Sequence, residues 1–295
     1  MKIGVFSDIY WSMGRVYKDV ANFLPDYEFR YISWANWSLQ ELIDVYNWCD
    51  VMIVNTAALD MIVNLINPSK ILFISHGFEE TQNKEINPEY NYAITSDSIR
   101  SLFPGDKHVW LTPNGVNPAN FDCIEKNGLI STVGWCGHPG VSYKQAHWTQ
   151  DITGNTNTKL SISSKVPCEY DFSKWQSLTY DEIRNWYSTI DLLLITSNPI
   201  ESSETGPLPA FEAIVSGVLV IGTPVGNFKN VPGPKFTTID EAVEIINDLK
   251  LDSEKVKALA KEQYEYVMKY YTYESFAHKW KEALDYVYLR SKCSD

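Results

Sequence analysis

The sequence predicts an α/β fold that consists of two doubly wound domains, each a parallel sheet covered by helices. Short β-rich runs alternate with segments of helical periodicity along most of the 295 residues, and this alternation is typical of βαβ units. One cluster of Pro, Gly and Asn interrupts the alternation before the middle of the chain. Because a chain of this length also exceeds a typical single domain, we expect a domain boundary at that cluster.

The first part of the chain contains a series of predicted strands joined by segments whose apolar residues recur with a helical period. The predicted strands are Lys2–Phe6, Phe29–Ser33, Val51–Asn55, Lys70–Ser75, Tyr92–Thr95 and Val109–Thr112. The predicted helical segments are Val16–Leu24, Leu39–Tyr46, Leu59–Ile66 and Ser96–Phe103.

The domain boundary is placed in a stretch of turn residues. Pro113, Asn114 and Gly115 open this stretch, and Asn127 and Gly128 close it. Such residues favour turns over helices and strands. We therefore place the boundary near 117–128 and assign residues 1–120 to a first domain and 121–272 to a second.

The alternation of strands and helices restarts after the boundary. The predicted strands are Leu129–Gly134, Lys159–Ser163, Leu192–Thr196 and Val218–Gly222, and the predicted helices are Gln145–Gln150, Tyr180–Ser188, Leu208–Ser216, Asp240–Leu249, Ser253–Lys269 and Tyr273–Tyr288. The last two of these strands are continuously apolar, as expected when helices cover both faces of a sheet. Two such sheets in tandem would place their carboxyl ends around one cleft, so we expect a small-molecule site there.

Composition and charge argue against several classes of protein. Twenty-five basic and 37 acidic residues give a net charge of −12, which disfavours nonspecific binding to nucleic acid. The five cysteines are scattered and show no zinc-knuckle spacing, so we expect neither a zinc site nor a disulfide framework. No apolar run reaches the length of a membrane span, and the N-terminal segment resembles a strand more than a secretory signal. We expect a cytoplasmic protein.

The most informative segment is Ser197–Gly226, which follows a predicted apolar strand and opens a helix near Pro209. Glu204 lies in the loop before this helix, and Glu212 is expected within about its first turn. Gly206 lets the backbone approach a ligand closely, and the free amides at the helix start suit an anion or sugar hydroxyls. A helix start decorated with acidic residues is also common for stability alone.

The segment resembles family 4 glycosyltransferases, which have the GT-B fold of two Rossmann-like domains facing a cleft. The resemblance rests on Glu204 and Glu212 at their eight-residue spacing, followed by Ala213, Ser216-Gly217 and the strand VLVIGTPVG. Four further segments, in the same order as in the family, are ILFISHG, LTPNGVNPANFD, ISTVGWCGHPGVSYKQ and YSTIDLLLITS. The segment YTYESFAHKWKEALDYV is similar to the family's C-terminal helix, which crosses back to the first domain; here this is about 273–295.

The resemblance implies a retaining transfer of a sugar from a nucleotide sugar, UDP- or GDP-linked, without a metal ion or other cofactor. It implies that Glu212 binds the ribose hydroxyls and that Lys144 binds the diphosphate. Glu204 contacts the transferred sugar and is a candidate catalytic residue. The donor-binding set continues through the backbone of Thr205, Gly206, Pro207 and Leu208.

The first domain would bind the acceptor, which is a glycan, a lipid or another hydroxyl compound; a lipid acceptor would bring the protein to a membrane surface. The resemblance assigns His76, at a strand end, to the catalytic centre and Gly14, in the first strand–helix turn, to the donor diphosphate and acceptor. Tyr10, Trp11, Trp34 and Trp37 are candidate sugar-stacking residues, and core packing competes with this interpretation for at least two of them.

The chain departs from the family pattern at three points. Trp135 and Cys136 follow Gly134, where the family has a diphosphate-binding Arg. Gln145 follows Lys144 in place of Gly, and the first domain is short. The spacing Gly134, Gly137, Gly140 matches a dinucleotide fingerprint poorly. Two alternatives therefore remain: transfer to modified DNA bases, against which the net charge argues, and a non-catalytic nucleotide-sugar-binding protein.

Overall fold

The computed structural model describes residues 1–7, 12–105, 107–164, 175–176, 178–200 and 204–293. Tyr10 and Trp11, two candidate stacking residues, lie outside the described residues. The chain divides into two compact units. The first unit comprises Met1–Gly115 together with Tyr273–Asp295, and the second comprises Val116–Thr272.

The first unit is built on a six-stranded parallel sheet. Its strands are β1 (Lys2–Ser7), β2 (Glu28–Ser33), β3 (Val51–Asn55), β4 (Ile71–Ser75), β5 (Asn91–Ile94) and β6 (Val109–Leu111), in the order β2-β1-β3-β4-β5-β6. The helices α1 (Ser12–Asn22), α2 (Leu39–Trp48) and α3 (Leu59–Val63) connect the first strands. Every residue of β3 and β4 is buried, because elements cover both faces of the central strands. The strand order reverses between β1 and β3, and this is the topological switch point of the sheet.

The second unit carries a five-stranded parallel sheet. Its strands are β7 (Thr132–Cys136), β8 (Lys159–Ser163), β9 (Trp175–Gln176), β10 (Leu192–Ile195) and β11 (Leu219–Gly222), in the order β11-β10-β7-β8-β9. Its helices are α4 (Trp148–Thr156), α5 (Tyr180–Thr189), α6 (Leu208–Val215), α7 (Ile239–Lys250) and α8 (Ser253–Tyr270). The switch point of this sheet lies between β7 and β10. The predicted α/β class with two doubly wound sheets is confirmed.

Two helices of the second unit begin at capping boxes that are visible in the sequence. Thr179 and Glu182 form reciprocal side-chain and backbone hydrogen bonds at the start of α5. Thr238 and Glu241 do the same for α7. Each box satisfies two backbone N–H groups that the helix itself leaves unpaired, and so fixes the residue at which the helix begins.

The helix α9 (Tyr273–Cys293) belongs to the first unit although the whole second unit precedes it in the chain. Trp280 is fully buried and packs edge-on against Tyr17, with ring centroids 6.2 Å apart. Tyr27 OH donates a hydrogen bond to Asp285 Oδ1 at 2.5 Å, and Arg290 Nη1 donates to Asn91 Oδ1 at 3.0 Å. The first unit is therefore completed by residues from both ends of the described chain.

The structure corrects the local expectations near Lys144 and Gly14 and adds one strand. The helix predicted at Gln145–Gln150 begins at Trp148, because Gln145 takes a left-handed conformation (φ 46°) after a 3-10 turn at Ser142–Lys144. Helix α1 begins four residues before the predicted Val16, so Gly14 lies in its first turn and not in the preceding loop. The short strand β9 was not predicted at all.

In the part of the chain that the structure describes, no helix combines the length and apolar character needed to span a membrane.

Candidate functional site

The loops after β7 and β10 carry two of the candidate residues and flank the switch point of the second sheet. Lys144 Nζ lies 2.6 Å from Glu204 Oε2, and both side chains are largely buried, with 21% and 15% of their surfaces exposed. Burial by itself would lower the pKa of Lys144, but the charge and hydrogen bond of Glu204 outweigh it, and the net pKa is raised. The structure thus places an ammonium and a carboxylate in contact at the edge where doubly wound sheets bind ligands.

Hydrogen bonds between the two loops hold this pair in place. Trp135 Nε1 donates to Thr196 Oγ1 at 3.0 Å, and Thr196 Oγ1 donates to the carbonyl of Lys144 at 2.7 Å. The backbone N–H of Asn198 donates to the carbonyl of Tyr143 at 2.6 Å. Trp135 is buried. At the sequence position where the family pattern has Arg, this chain therefore has a residue that anchors the Lys144 loop instead of a second cation.

The backbone after Lys144 explains one further departure from the family pattern. Gln145 has φ 46° and ψ 44°, in the left-handed region. Glycine adopts this region at no steric cost, whereas other residues are strained there. The glycine of the family pattern suits this conformation, and the present chain reaches it with a glutamine.

The segment from Glu204 to the start of α6 is tightly packed. Thr205, Gly206 and Pro207 are buried, and a Cβ atom at Gly226 would lie 2.2 Å from the carbonyl oxygen of Thr205. No side chain caps α6 at Pro207, which precedes Leu208. Pro209 has no N–H, and the N–H of Ala210 donates to the carbonyl of Pro207 at 2.9 Å, so Leu208 supplies the N–H of this first turn that suits a ligand oxygen atom.

Glu212 lies on α6, the helix on which the sequence places it. It is the fifth residue of α6, beyond the first turn, and only 4% of its surface is exposed. Tyr187 OH donates a hydrogen bond to its Oε2 at 2.9 Å. The carboxylate is therefore oriented by a neighbouring helix, since Tyr187 lies on α5.

Contacts at the carboxyl ends of β3 and β4 connect His76 to the helix that carries Gly14. His76 directly follows β4, and its Nε2 lies 2.9 Å from Tyr17 OH, on α1 one turn beyond Gly14. Burial lowers the pKa of His76 to about 4, and the Asn114 side chain opposes the shift. His76 is therefore a neutral imidazole near pH 7, able to polarise or position a ligand but not to carry a charge.

Glu80, a carboxylate next to His76, was not singled out from the sequence. Glu80 Oε2 accepts hydrogen bonds from the backbone N–H of His76 at 3.0 Å and from Asn55 Nδ2 at 3.2 Å. Asn55 Nδ2 also lies 3.2 Å from Met13 Sδ, next to Gly14. The sequence signal was an acidic residue four positions after a strand-terminal histidine, which is too common to single out.

Trp34 and Trp37, named as candidate stacking residues, pack on the core instead. Their ring centroids lie 5.9 and 5.4 Å from that of Phe6, and both side chains are half-buried. The core-packing interpretation holds for this pair. Among the described residues, no group of three or more His, Cys, Asp or Glu side chains is arranged to hold a metal ion.

Comparisons with known proteins decide the fold. No family model matches the chain, and no curated protein sequence does so. Solved structures match it over nearly its whole length. HepE of Anabaena, solved with UDP-glucose, has a TM-score of 0.75 at 13% identity and covers 97% of this chain and 100% of its own. The chain has the GT-B fold.

Two other GT-B structures support this assignment. The catalytic domain of starch synthase IV from Arabidopsis thaliana, bound to ADP and acarbose, has a TM-score of 0.70 at 11% identity and covers 98% of this chain and 99% of its own. AviGT4, a glycosyltransferase of avilamycin A biosynthesis, has a TM-score of 0.66 at 13% identity and covers 98% of both chains. At these identities the likeness defines the GT-B fold and leaves the activity to be argued from the site.

Proposed function

We propose that the protein is a retaining glycosyltransferase that moves a sugar from a nucleotide sugar to a hydroxyl acceptor, as a cytoplasmic enzyme. The observation that carries this proposal is the Lys144–Glu204 contact at the switch point of the second sheet. A nucleotide sugar presents a diphosphate directly beside sugar hydroxyls. An ammonium next to a carboxylate complements those two neighbouring groups, because the ammonium attracts the diphosphate and the carboxylate accepts hydrogen bonds from hydroxyls.

The remaining donor-binding roles follow the same chemistry. The backbone at Thr205, Gly206, Pro207 and Leu208 lies next to Glu204 at the start of α6, where amides suit sugar or phosphate oxygens. Glu212, oriented by Tyr187, can accept two hydrogen bonds from the vicinal ribose hydroxyls of the nucleotide. The structure of HepE with UDP-glucose supports a UDP-linked donor; GDP-linked donors remain in the proposal.

The transfer step forms a bond between the acceptor oxygen and the anomeric carbon of the sugar. The bond from that carbon to the diphosphate oxygen breaks on the same face, so the anomeric configuration is retained. The acceptor's proton passes to the departing diphosphate, and Lys144 offsets the negative charge that develops there. In this proposal the ammonium supplies the positive charge without a metal ion, while His76 positions the acceptor and the sugar. Gly14, one turn before Tyr17 in α1, approaches the diphosphate and the acceptor.

A second candidate is a nucleotide-sugar-binding protein without transfer activity. Trp135, which stands in place of the family's diphosphate-binding Arg, favours this candidate, because it leaves Lys144 without a second cation from that position.

A panel of nucleotide sugars tests the proposed function. We expect UDP-glucose or another member of the panel to raise the thermal stability of the wild-type protein, by about 2.7 kcal/mol at a hundredfold excess over Kd. The proposed enzyme also releases free nucleoside diphosphate from the same donor, in water or with an acceptor. Stabilisation without any release would favour the second candidate, and a panel without any stabilising member would contradict both.

A further inference from the structure

The first unit contains a carboxylate that the donor site does not use. Glu80 follows β4 by five residues, and one of its oxygens, Oε2, accepts hydrogen bonds from the backbone of His76 and from the side chain of Asn55. These contacts tie the loop after β4 to the end of β3, next to the switch point. Within the described part of the chain these contacts engage Oε2 alone, whereas a carboxylate has two oxygens that can accept hydrogen bonds.

The groups that donate hydrogen bonds to Glu80 carry no charge. Both groups that donate to it, a backbone amide and a carboxamide, are neutral. Among the described residues, no cation lies within ion-pair distance of this carboxylate. Burial raises the pKa of Glu80, and the burial of His76 keeps its imidazole neutral. A ligand that meets Glu80 therefore meets a hydrogen-bond acceptor without a compensating positive charge.

We propose that Glu80 binds a hydroxyl group of the acceptor through its second oxygen, Oε1, and that the acceptor is neutral and polyhydroxylated at this point. The inference rests on the proposed function, because it assumes that the first unit binds the acceptor. A hydroxyl donates a hydrogen bond to a carboxylate, whereas a phosphate or carboxylate group would be repelled by it. Glu80 thus determines acceptor specificity, and His76, whose backbone it holds, lies beside the bound hydroxyl.

The variant Glu80→Gln separates this role from a purely structural one. The amide oxygen of glutamine can accept the hydrogen bonds from His76 and Asn55, so the loop keeps its internal contacts. The amide nitrogen cannot accept a hydrogen bond from a ligand hydroxyl. Glu85→Gln is the matched control, since Glu85 is exposed on the same loop and its replacement changes the net charge equally.

The test measures the binding of methyl α-D-glucopyranoside and of glucose 6-phosphate by NMR titration, with UDP at saturation. We expect the wild-type protein and Glu85→Gln to bind the neutral glucoside more tightly than the sugar phosphate. In Glu80→Gln the glucoside should bind about tenfold more weakly, the preference over the sugar phosphate should shrink, and the Kd for UDP should stay unchanged.

Several results would overturn the inference. These are equal glucoside binding by Glu80→Gln and the wild type, an equal or tighter binding of glucose 6-phosphate by the wild type, and an absence of glucoside binding. A loss of UDP binding in Glu80→Gln would instead assign the residue a structural role. Donor stabilisation and donor cleavage in water need no acceptor, so their success alongside a failure here would leave the proposed function standing without Glu80.

Discussion

Lys144 Nζ and Glu204 Oε2 lie 2.6 Å apart although 60 residues separate them in the chain. The ammonium that would bind a diphosphate is thus already engaged by the carboxylate that would bind the sugar. A ligand with both groups can replace the contact with two new ones. A ligand that has only the diphosphate must compete with Glu204 for the ammonium, and it offers the carboxylate no hydroxyl in exchange.

Replacement of Glu204 should therefore strengthen the binding of UDP while it weakens the transfer of the sugar. In Glu204→Gln we expect UDP to bind about tenfold more tightly, close to 1.4 kcal/mol, because Lys144 no longer has a competing carboxylate. Release of UDP from UDP-glucose should fall at the same time. Calorimetric titration with UDP measures the first effect, and Glu244→Gln on the exposed face of α7 controls for the change in net charge. Weaker UDP binding in Glu204→Gln would contradict the competition.

Replacement of Lys144 should act through the diphosphate. In Lys144→Ala we expect the Kd for UDP to rise by about tenfold to a hundredfold, while the Kd for uridine stays within about twofold. The variant should also lose about 1 to 3 kcal/mol of stability, since the partly buried carboxylate of Glu204 loses its ion pair with the ammonium. Titrations with uridine and UDP test the first point. An equal loss of affinity for both ligands would remove Lys144 from the diphosphate site.

Tyr187 should affect the binding of the nucleoside indirectly, because it orients Glu212. The substitution Tyr187→Phe removes the hydroxyl that donates to Glu212 Oε2 at 2.9 Å and keeps the buried ring. We expect a stability loss of about 1 kcal/mol and a several-fold weaker binding of uridine, because the carboxylate loses its orientation. Uridine titration measures this effect, and Tyr266→Phe, on a half-buried ring of the same unit, serves as the control. Unchanged uridine affinity would contradict the role of Glu212 at the ribose.

The stability of the first unit should depend on pH through His76. Burial lowers the pKa of this ring to about 4 from its ordinary 6.5, so between these values the unfolded chain binds a proton that the folded chain does not. The contribution of the neutral ring is fully present above pH 6.5 and is lost as the pH falls toward 4. It amounts to roughly 3 kcal/mol.

The comparison of wild type with His76→Gln isolates this contribution. Amide hydrogen exchange in β3 and β4, followed from pH 7 to 4.5, reports the stability of the first unit. The wild-type protein should lose more stability over this range than the variant. NMR titration of the His76 ring gives a second readout, and a midpoint near 6.5 would show that the ring is not desolvated.

The sequence predicted the regular elements well where burial is continuous. The strand Val51–Asn55 has the predicted bounds, and the predicted β10 differs by one residue, because a short apolar run between turn residues is typical of a buried strand. Lys159–Ser163 also has the predicted bounds, although only its last two residues are buried. The predicted start of α4 was wrong because Gln145 takes a left-handed conformation, so the helix begins only at Trp148. No local sequence pattern predicts that conformation.

The candidate site was predictable as a set of residues and not as a set of contacts. Lys144, Glu204 and Glu212 were singled out from motifs, but the ion pair between the first two depends on residues that meet only in the folded sheet. Glu80 was missed for the same reason, since its partner Asn55 lies 25 residues earlier. The packing of Trp34 against Phe6 likewise depends on tertiary structure, which hydropathy alone does not resolve.

The position of α9 has a consequence for synthesis on the ribosome. The second unit is contiguous, so all of its residues have been translated before α9 emerges. The first unit, although translated earliest, must wait for Trp280 and its neighbours to cover Tyr17. At typical translation rates the nascent first unit would remain incomplete for on the order of ten seconds. During that interval its apolar surface is open to chaperones, and the order of maturation runs opposite to the order of translation.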